Sequence, residues 1–257
     1  MPFFKRYPAN VRGTDYVVGD LHGHRQQLLD ALERNGFDRA RDRLFCTGDL
    51  IDRGPDSFGS LMLILEPWFF FVKGNHEDDL SLFLQYLSLA PGGKDIARKS
   101  GQDWVYDLDV KTLGYLKSEL LPRIENAPIV LNVEGDHGFW MVRADRATFG
   151  RYFDPLPLID DEQLPFITDD DQLGALLWSR RLLKQVPRKD MTDRGLYLTA
   201  SGSERAPGVG LTFVGHSYVE HPTLYRSHFF IDTGAGTIPD GKLTVLRVSD
   251  VIQECYK

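Results

Sequence analysis

A chain of 257 residues with a formal charge of −7 can bury roughly 70–75% of its unfolded surface in one large core, with no disulfide staples. The acidic balance excludes a general nucleic-acid binder, which carries a basic patch, and no apolar run approaches the ~18 residues of a membrane span. Cys46 and Cys255 make neither a disulfide framework nor a zinc spacing and point to a reducing, cytoplasmic setting, and the basic N-terminus lacks the apolar run of a signal peptide.

The first third repeats one local pattern. Tyr16-Val17-Val18 runs into Gly19-Asp20, Leu44–Thr47 into Gly48-Asp49, and Phe69–Val72 into Lys73-Gly74-Asn75. Each is a short apolar strand that stops at glycine and a polar residue. Helical periodicity follows the first two: Leu28, Ala31 and Leu32 share a face that Asn35-Gly36 terminates, and Leu61, Ile64 and Leu65 repeat the arrangement. Such alternation predicts parallel βαβ units in an α/β fold, with the connecting loops gathered at the strands' C-terminal edge.

From Glu77 to Glu119 the pattern is mainly helical. Ile129–Val133 and Phe139–Val142 flank Gly135-Asp136-His137-Gly138 and predict a β-hairpin. Arg151–Asp171, rich in Asp and Pro, predicts a long surface loop. Leu211–Val214, Thr223–Tyr225, Phe229–Ile231 and Leu243–Val248 predict short strands, more antiparallel than the first set. With no linker or low-complexity segment, residues 1–257 are expected to form a single domain with its core at about 14–248.

The chemistry-bearing residues concentrate after these strands. Asp20, His22, Asp49, Asn75 and His216 sit on glycine-flanked loops, and this mix of carboxylate, imidazole and amide suits divalent manganese, iron or zinc. It lacks the thiolates of a structural zinc site. Gly19, Gly23, Gly48, Gly54 and Gly74 permit sharp turns and close backbone approach. Asp52-Arg53 and His76 add a carboxylate, a guanidinium and a further imidazole. Metal ions, arginines and an acid are the parts needed for displacement at phosphorus.

Three of these segments, Gly19-Asp20-Leu21-His22-Gly23, Gly48–Gly54 and Gly74-Asn75-His76-Glu77, resemble the signature motifs of the phosphoprotein phosphatase family. Trp178-Ser179-Arg180, Gly215-His216-Ser217 and Asp232–Ala235 follow in the family's order, so the resemblance runs from Tyr16 to Val248. Within the family it lies nearest the bacteriophage-lambda-type serine/threonine branch. The resemblance implies a calcineurin-like metallophosphoesterase fold of two layered mixed β-sheets flanked by helices. It also implies two divalent metal ions, most simply manganese. Asp20 and His22 would hold the first, Asp49 would bridge both, and Asn75 and His216 would hold the second. Arg53 and Arg180 would clamp the phosphate, and His76, oriented by Asp52, would protonate the leaving alkoxide while a metal-bridging hydroxide attacks phosphorus. The implied substrate is a phosphorylated protein or a small phosphomonoester.

The pattern breaks at one position. Where the family places a further histidine on the second metal, this chain has Val142-Arg143-Ala144-Asp145, and arginine offers no lone pair to a metal. Arg143 is expected to swing away, to pair with a carboxylate such as Asp145, or to take over part of the second metal's charge. The second metal is expected to bind weakly or be missing; the alternative is that Arg143 points to solvent, water takes the vacancy and two metals bind normally. Lys73, where the family usually has arginine, is a lesser departure.

Two other functions compete with a protein phosphatase. One is a diadenosine polyphosphate or other nucleotide hydrolase, whose family resembles this chain in its metal motifs but tends to carry Asp where Glu77 stands. The other is a silenced fold that binds phosphorylated partners, which the presence of Asp52, His76, Arg53 and Arg180 opposes. His24, His221 and His228 are read as structural or solvent-facing, Trp178 as core packing, and Asp160–Glu162 and Asp169–Asp171 as solvated loop charge, with a lip over the site as the alternative.

Overall fold

Period-two alternation sorts the strand residues of this chain into separate apolar layers. The computed structural model describes residues 3–87, 90–148, 156–189, 191–200 and 205–255. Its strands are β1 (Phe4–Tyr7), β2 (Asp15–Val18), β3 (Arg43–Cys46), β4 (Phe69–Phe71), β5 (Val130–Val133) and β6 (Phe139–Val142), followed by β7 (Met191–Asp193), β8 (Leu198–Ala200), β9 (Thr212–Val214), β10 (Thr223–Tyr225), β11 (His228–Phe230) and β12 (Val245–Arg247). One sheet has the order β12-β2-β3-β4 and the other β1-β5-β6-β9-β11-β10-β8-β7, and both mix parallel and antiparallel pairs.

Val17 and Phe45 point between the two sheets, where they meet Leu131, Phe139, Met141, Phe213 and Phe229 of the larger one. Their neighbours Val18, Leu44 and Cys46 point the other way, against helices α1 (Arg25–Arg34), α2 (Ser57–Leu61) and α3 (Asn75–Leu82) with the segments that follow. Val130, Trp140, Val142, Val214 and Phe230 face outward from the larger sheet onto a third apolar cluster. The layers are therefore helix, sheet, sheet and helix, and a one-residue slip in any of these strands would exchange its two faces.

Parallel pairing of β2, β3 and β4 brings their C-terminal ends to one edge. The larger sheet supplies three more strand ends, because β9 runs parallel to both β6 and β11. Arg143 follows β6, His216 follows β9 and Asp232 follows β11. The site forms where the two rims meet.

Most of the expected elements are present. Leu28, Ala31 and Leu32 are the buried face of α1, which ends at Asn35 with Gly36 at φ +68°, a backbone that glycine adopts without penalty. The hairpin of β5 and β6 pairs Val133 with Phe139. Helices α4 (Gly93–Ser100), α5 (Val110–Tyr115) and α6 (Leu121–Glu125) occupy the region after α3.

Three expectations need correction. The face drawn through Leu61, Ile64 and Leu65 is not the buried one. After α2 the chain tightens into a 3-10 turn, so Leu61 and Leu63 are buried and Leu65 is exposed, because three residues per turn shift the apolar side. The second half of the expected surface loop is packed: Leu156, Ile159, Leu164 and Ile167 are buried, and α7 (Asp170–Trp178) begins inside its last residues; residues 151–155 lie outside the described set. The acidic runs are also structural in part. Asp169 caps α7 through the Gln172 N–H, and Asp161 pairs with the buried Arg146 at 2.8 Å. Strands β1, β7 and β8 and helices α8 (Arg181–Lys184) and α9 (Val248–Cys255) carry weaker sequence patterns and are seen only in the fold.

Candidate metal centre and active site

Five of the candidate residues, His22, Asp49, Asp52, Arg53 and His216, adopt positive φ between 40° and 74°. Left-handed backbone in residues with a Cβ costs free energy and persists only where surrounding contacts hold it. Those contacts are visible. His22 N–H donates to Asp49 O at 2.8 Å, joining the first two loops. The Glu77 carboxylate accepts the N–H groups of Asp49 and Gly74 at 2.9 Å and of Leu50 at 2.8 Å, joining the second loop to the third. Gly74 must be glycine, since a Cβ there would lie 2.2 Å from Asp49 Oδ1.

The loops surround a cleft of about 640 Å³ lined by Asp20, Asp49, Arg53, Asn75, His76, Arg143, Trp178, Arg180, His216 and Asp232, among others. His22 donates Nδ1–H to Ile51 O at 2.8 Å, so the lone pair of Nε2 faces inward. Burial lowers its pKa to about 4, against the pull of Asp49 and Asp20, and the ring is neutral. Its Nε2 lies 3.7 Å from Asp49 Oδ2 and 4.0 Å from Asp20 Oδ2. Two donors bound at about 2.1 Å to one ion can be no more than about 4.2 Å apart. Both distances from His22 meet that limit, so Asp20, His22 and Asp49 are the candidate holders of a divalent cation, and in this structure Arg53 and Arg143 hydrogen-bond to the same three side chains. Donor atoms of His22, Asp49 and His76 also lie within 4.8 Å of one another, but His76 is committed elsewhere.

His76 shares a 2.6 Å hydrogen bond between Nδ1 and Asp52 Oδ2, and Asp52 Oδ1 accepts Trp104 Nε1–H at 2.7 Å. Burial works against a charged His76, yet the Asp52 bond and the nearby Asp49 charge hold its pKa above the ordinary value. Its Nε2 faces the cleft, 2.9 Å from Arg53 Nη2 and 3.8 Å from Asp49 Oδ2. Arg53 also reaches His22 Nε2 at 2.8 Å and Thr237 at 3.1 Å. Arg180 is exposed and lines the same cleft.

Arg143 is 1% exposed and lies at the centre. Its guanidinium pairs with Asp20 through Nη1 and Nη2, with Asp49 through Nη2, and with Asn75 Oδ1 through Nε at 3.3 Å. Of the three courses open to Arg143, it neither swings away nor pairs with Asp145, whose carboxylate instead accepts the Ala147 and Leu182 N–H groups and the Ser179 hydroxyl. His216 donates to Asp20 from its backbone N–H and bonds Trp178 O through Nε2 at 3.2 Å, which turns Nδ1 toward Arg143 Nη2 at 3.4 Å. Burial, with Arg143 and Arg180 beside it, lowers the His216 pKa to about 3. Burial alone would raise Asp49, but the Arg143 charge holds it well below the usual carboxylate range.

Several contributions escape a reading by motif. Glu77 ties the second and third loops together, and Trp104 supports Asp52 from 52 positions away, a relation that no local spacing signals. Asp232 is buried beside Asp20, and burial together with that charge raises its pKa to about 8. Trp178 is 48% exposed and borders the cleft with its ring edge-on to His216 rather than packing in the core. His24 and His228 are structural as expected: each bonds local backbone carbonyls. Lys73 is buried and pairs with Asp78 at 3.2 Å.

The calcineurin-like phosphoesterase family profile matches residues 16–220. Serine/threonine-protein phosphatase 1 of Salmonella typhimurium strain LT2 is 52% identical over 245 residues, covering 95% of this chain and 96% of that protein. A symmetrical bis(5'-nucleosyl)-tetraphosphatase of Dechloromonas aromatica is 42% identical over 90 residues, which is 34% of this chain and 29% of that one. Among solved structures, a protein serine/threonine phosphatase from Saccharomyces cerevisiae superposes with a TM-score of 0.51 at 14% identity, covering 96% of this chain and 83% of its own.

Proposed function

The chain belongs to the calcineurin-like phosphoesterase family, and we propose that within it the protein is a metal-dependent phosphatase acting on phosphoserine and phosphothreonine. The observation that carries this reading is the His76 ring, bonded to buried Asp52 at 2.6 Å and facing the cleft beside the Asp49 carboxylate. Asp20, His22 and Asp49 would hold a divalent ion, manganese being the ion to test first. Bound there, such an ion supplies Lewis acidity, which lowers the pKa of coordinated water and offsets charge on phosphoryl oxygens.

The rest falls to side chains. Arg53 and Arg180, which both line the cleft, would hold phosphoryl oxygens, where a guanidinium fork offers paired donors. Asp52 holds the Nδ1 proton of His76, so Nε2 is the atom that would deliver a proton to the departing serine or threonine oxygen. A serine alkoxide leaves poorly, and a placed acid is worth typically 10²–10⁴-fold. The same pair argues against a silenced, binding-only fold, which has no use for an oriented acid.

A nucleotide hydrolase is the second reading. It rests on a similarity covering about a third of the chain, whereas the phosphatase relative covers nearly all of it. No helix among the described residues is long and apolar enough to cross a membrane, and both cysteines are free, which supports a cytoplasmic site of action. The test is hydrolysis of a phosphoserine peptide, 4-nitrophenyl phosphate and diadenosine tetraphosphate, each with chelator and then with added manganese. Metal-dependent release of phosphate from the peptide is expected. Turnover that ignores the chelator, or that occurs with the dinucleotide alone, would reject the reading.

A further inference from the structure

Asp49 Oδ2, Asn75 Oδ1 and His216 Nδ1 converge on one point, and what stands at that point is the guanidinium of Arg143. Each of these atoms is the lone-pair donor that a second cation would need. A guanidinium carries only N–H donors and keeps its charge at every physiological pH. It therefore occupies those lone pairs while providing a positive charge of its own.

Burial and paired contacts hold Arg143 at this point. The side chain is buried, and its Nη1 and Nη2 fork matches the two oxygens of Asp20 while Nη2 also reaches Asp49. A buried guanidinium stripped of carboxylates is strongly destabilising, and so is a buried carboxylate pair stripped of its cation. The backbone accommodates it as well. Gly215 N–H donates to Arg143 O at 3.0 Å, and a Cβ on Gly215 would lie 2.5 Å from Arg143 Nη1 and 2.1 Å from Asp20 Oδ1.

We propose that Arg143 is a built-in replacement for a second cation, so that the chain binds one divalent ion, at Asp20, His22 and Asp49. This rests on the phosphatase reading of the same cleft. Asn75 and His216 then serve as hydrogen-bond partners that seat the guanidinium, and not as metal ligands. One divalent ion and Arg143 would already face Asp20 and Asp49, with Asp232 beside them, and a second divalent ion would add a third cation to the same carboxylates.

The experiment is metal stoichiometry on the metal-stripped full chain. Manganese is titrated by calorimetry, and the loaded protein is examined by electron paramagnetic resonance. The parent chain is expected to bind one manganese with the spectrum of an isolated ion. Arg143→His is expected to bind two, with an exchange-coupled spectrum from ions about 3.5–4 Å apart. Two ions in the parent, or one in both proteins, would overturn the proposal and leave the phosphatase reading intact. No manganese in either protein would overturn both. Should Arg143→His fail to fold, the parent chain alone decides: one manganese with the spectrum of an isolated ion supports the proposal, and two exchange-coupled ions refute it.

Discussion

His76 and Asp20 line one cleft, yet substitutions at the two are expected to fail in different ways. His76→Asn removes the proton that Asp52 orients while leaving Asp20, His22 and Asp49 in place. It should lower kcat more for alkyl phosphates than for 4-nitrophenyl phosphate, since an acid matters most where the leaving oxygen is most basic, with manganese content unchanged. Asp20→Asn weakens a carboxylate that faces His22 Nε2 and should lower manganese content directly. Steady-state rates on the two substrate types and metal analysis of both variants check this. The same loss in both, by both measures, would mean that acid and ligand have been misassigned.

At the scale of elements, α3 does more than follow β4. Its third residue, Glu77, lies where an acidic side chain can accept the N–H groups left open at a helix start. Here the carboxylate takes the Gly74 N–H and reaches across to the loop after β3 for those of Asp49 and Leu50. Burial raises its pKa to about 7, against these donors. Glu77→Gln keeps the volume but turns an NH₂ group onto a backbone donor. Each unsatisfied buried group costs about 1–3 kcal/mol, so the variant should lose about that much stability in urea titrations and also bind manganese more weakly. Weaker metal binding without any loss of stability would contradict a tie between loops.

For the whole molecule, acid is expected to loosen the sandwich through histidines kept neutral by burial. His228 in β11 is the cleanest case, since it lies away from the cleft. Its Nδ1 faces Arg226 O at 3.0 Å and its Nε2 accepts the Arg146 N–H at 3.2 Å, so a second ring proton has nowhere to go. Burial, with Arg146 and Arg226 nearby, lowers its pKa to about 3 from 6.5. The unfolded chain therefore gains a proton that the folded one refuses, and stability present above pH 6.5 is lost as pH falls toward 3. At pH 5 the loss is about 2 kcal/mol. His228→Asn should be less stable than the parent at pH 7.5, and the gap should close by about that amount at pH 5 in chelator-containing buffer. A gap independent of pH would show that His228 does not contribute to the acid response.

Local pattern alone determined the three strand–loop segments, the helices after the first two, the hairpin before Arg143 and the candidacy of Asp20, His22, Asp49, Asn75 and His76. Each depends on residues a few positions apart: a strand's apolar run, a glycine that permits the turn, a polar residue at its tip. The anomaly at Arg143 was equally legible, because arginine cannot ligate a metal whatever surrounds it. Its destination was not. Whether it turned to Asp145, to solvent or to the centre depended on β6 lying beside β9 and on the two sheets meeting along one rim. The same holds for Trp104 under Asp52, for Glu77 between two loops and for Trp178 at the cleft instead of in the core. These contacts join residues far apart in the chain, and only packing of the layers brings them within reach. The tertiary structure thus decided how the charges are shared, placing a fixed guanidinium between Asp20 and Asp49.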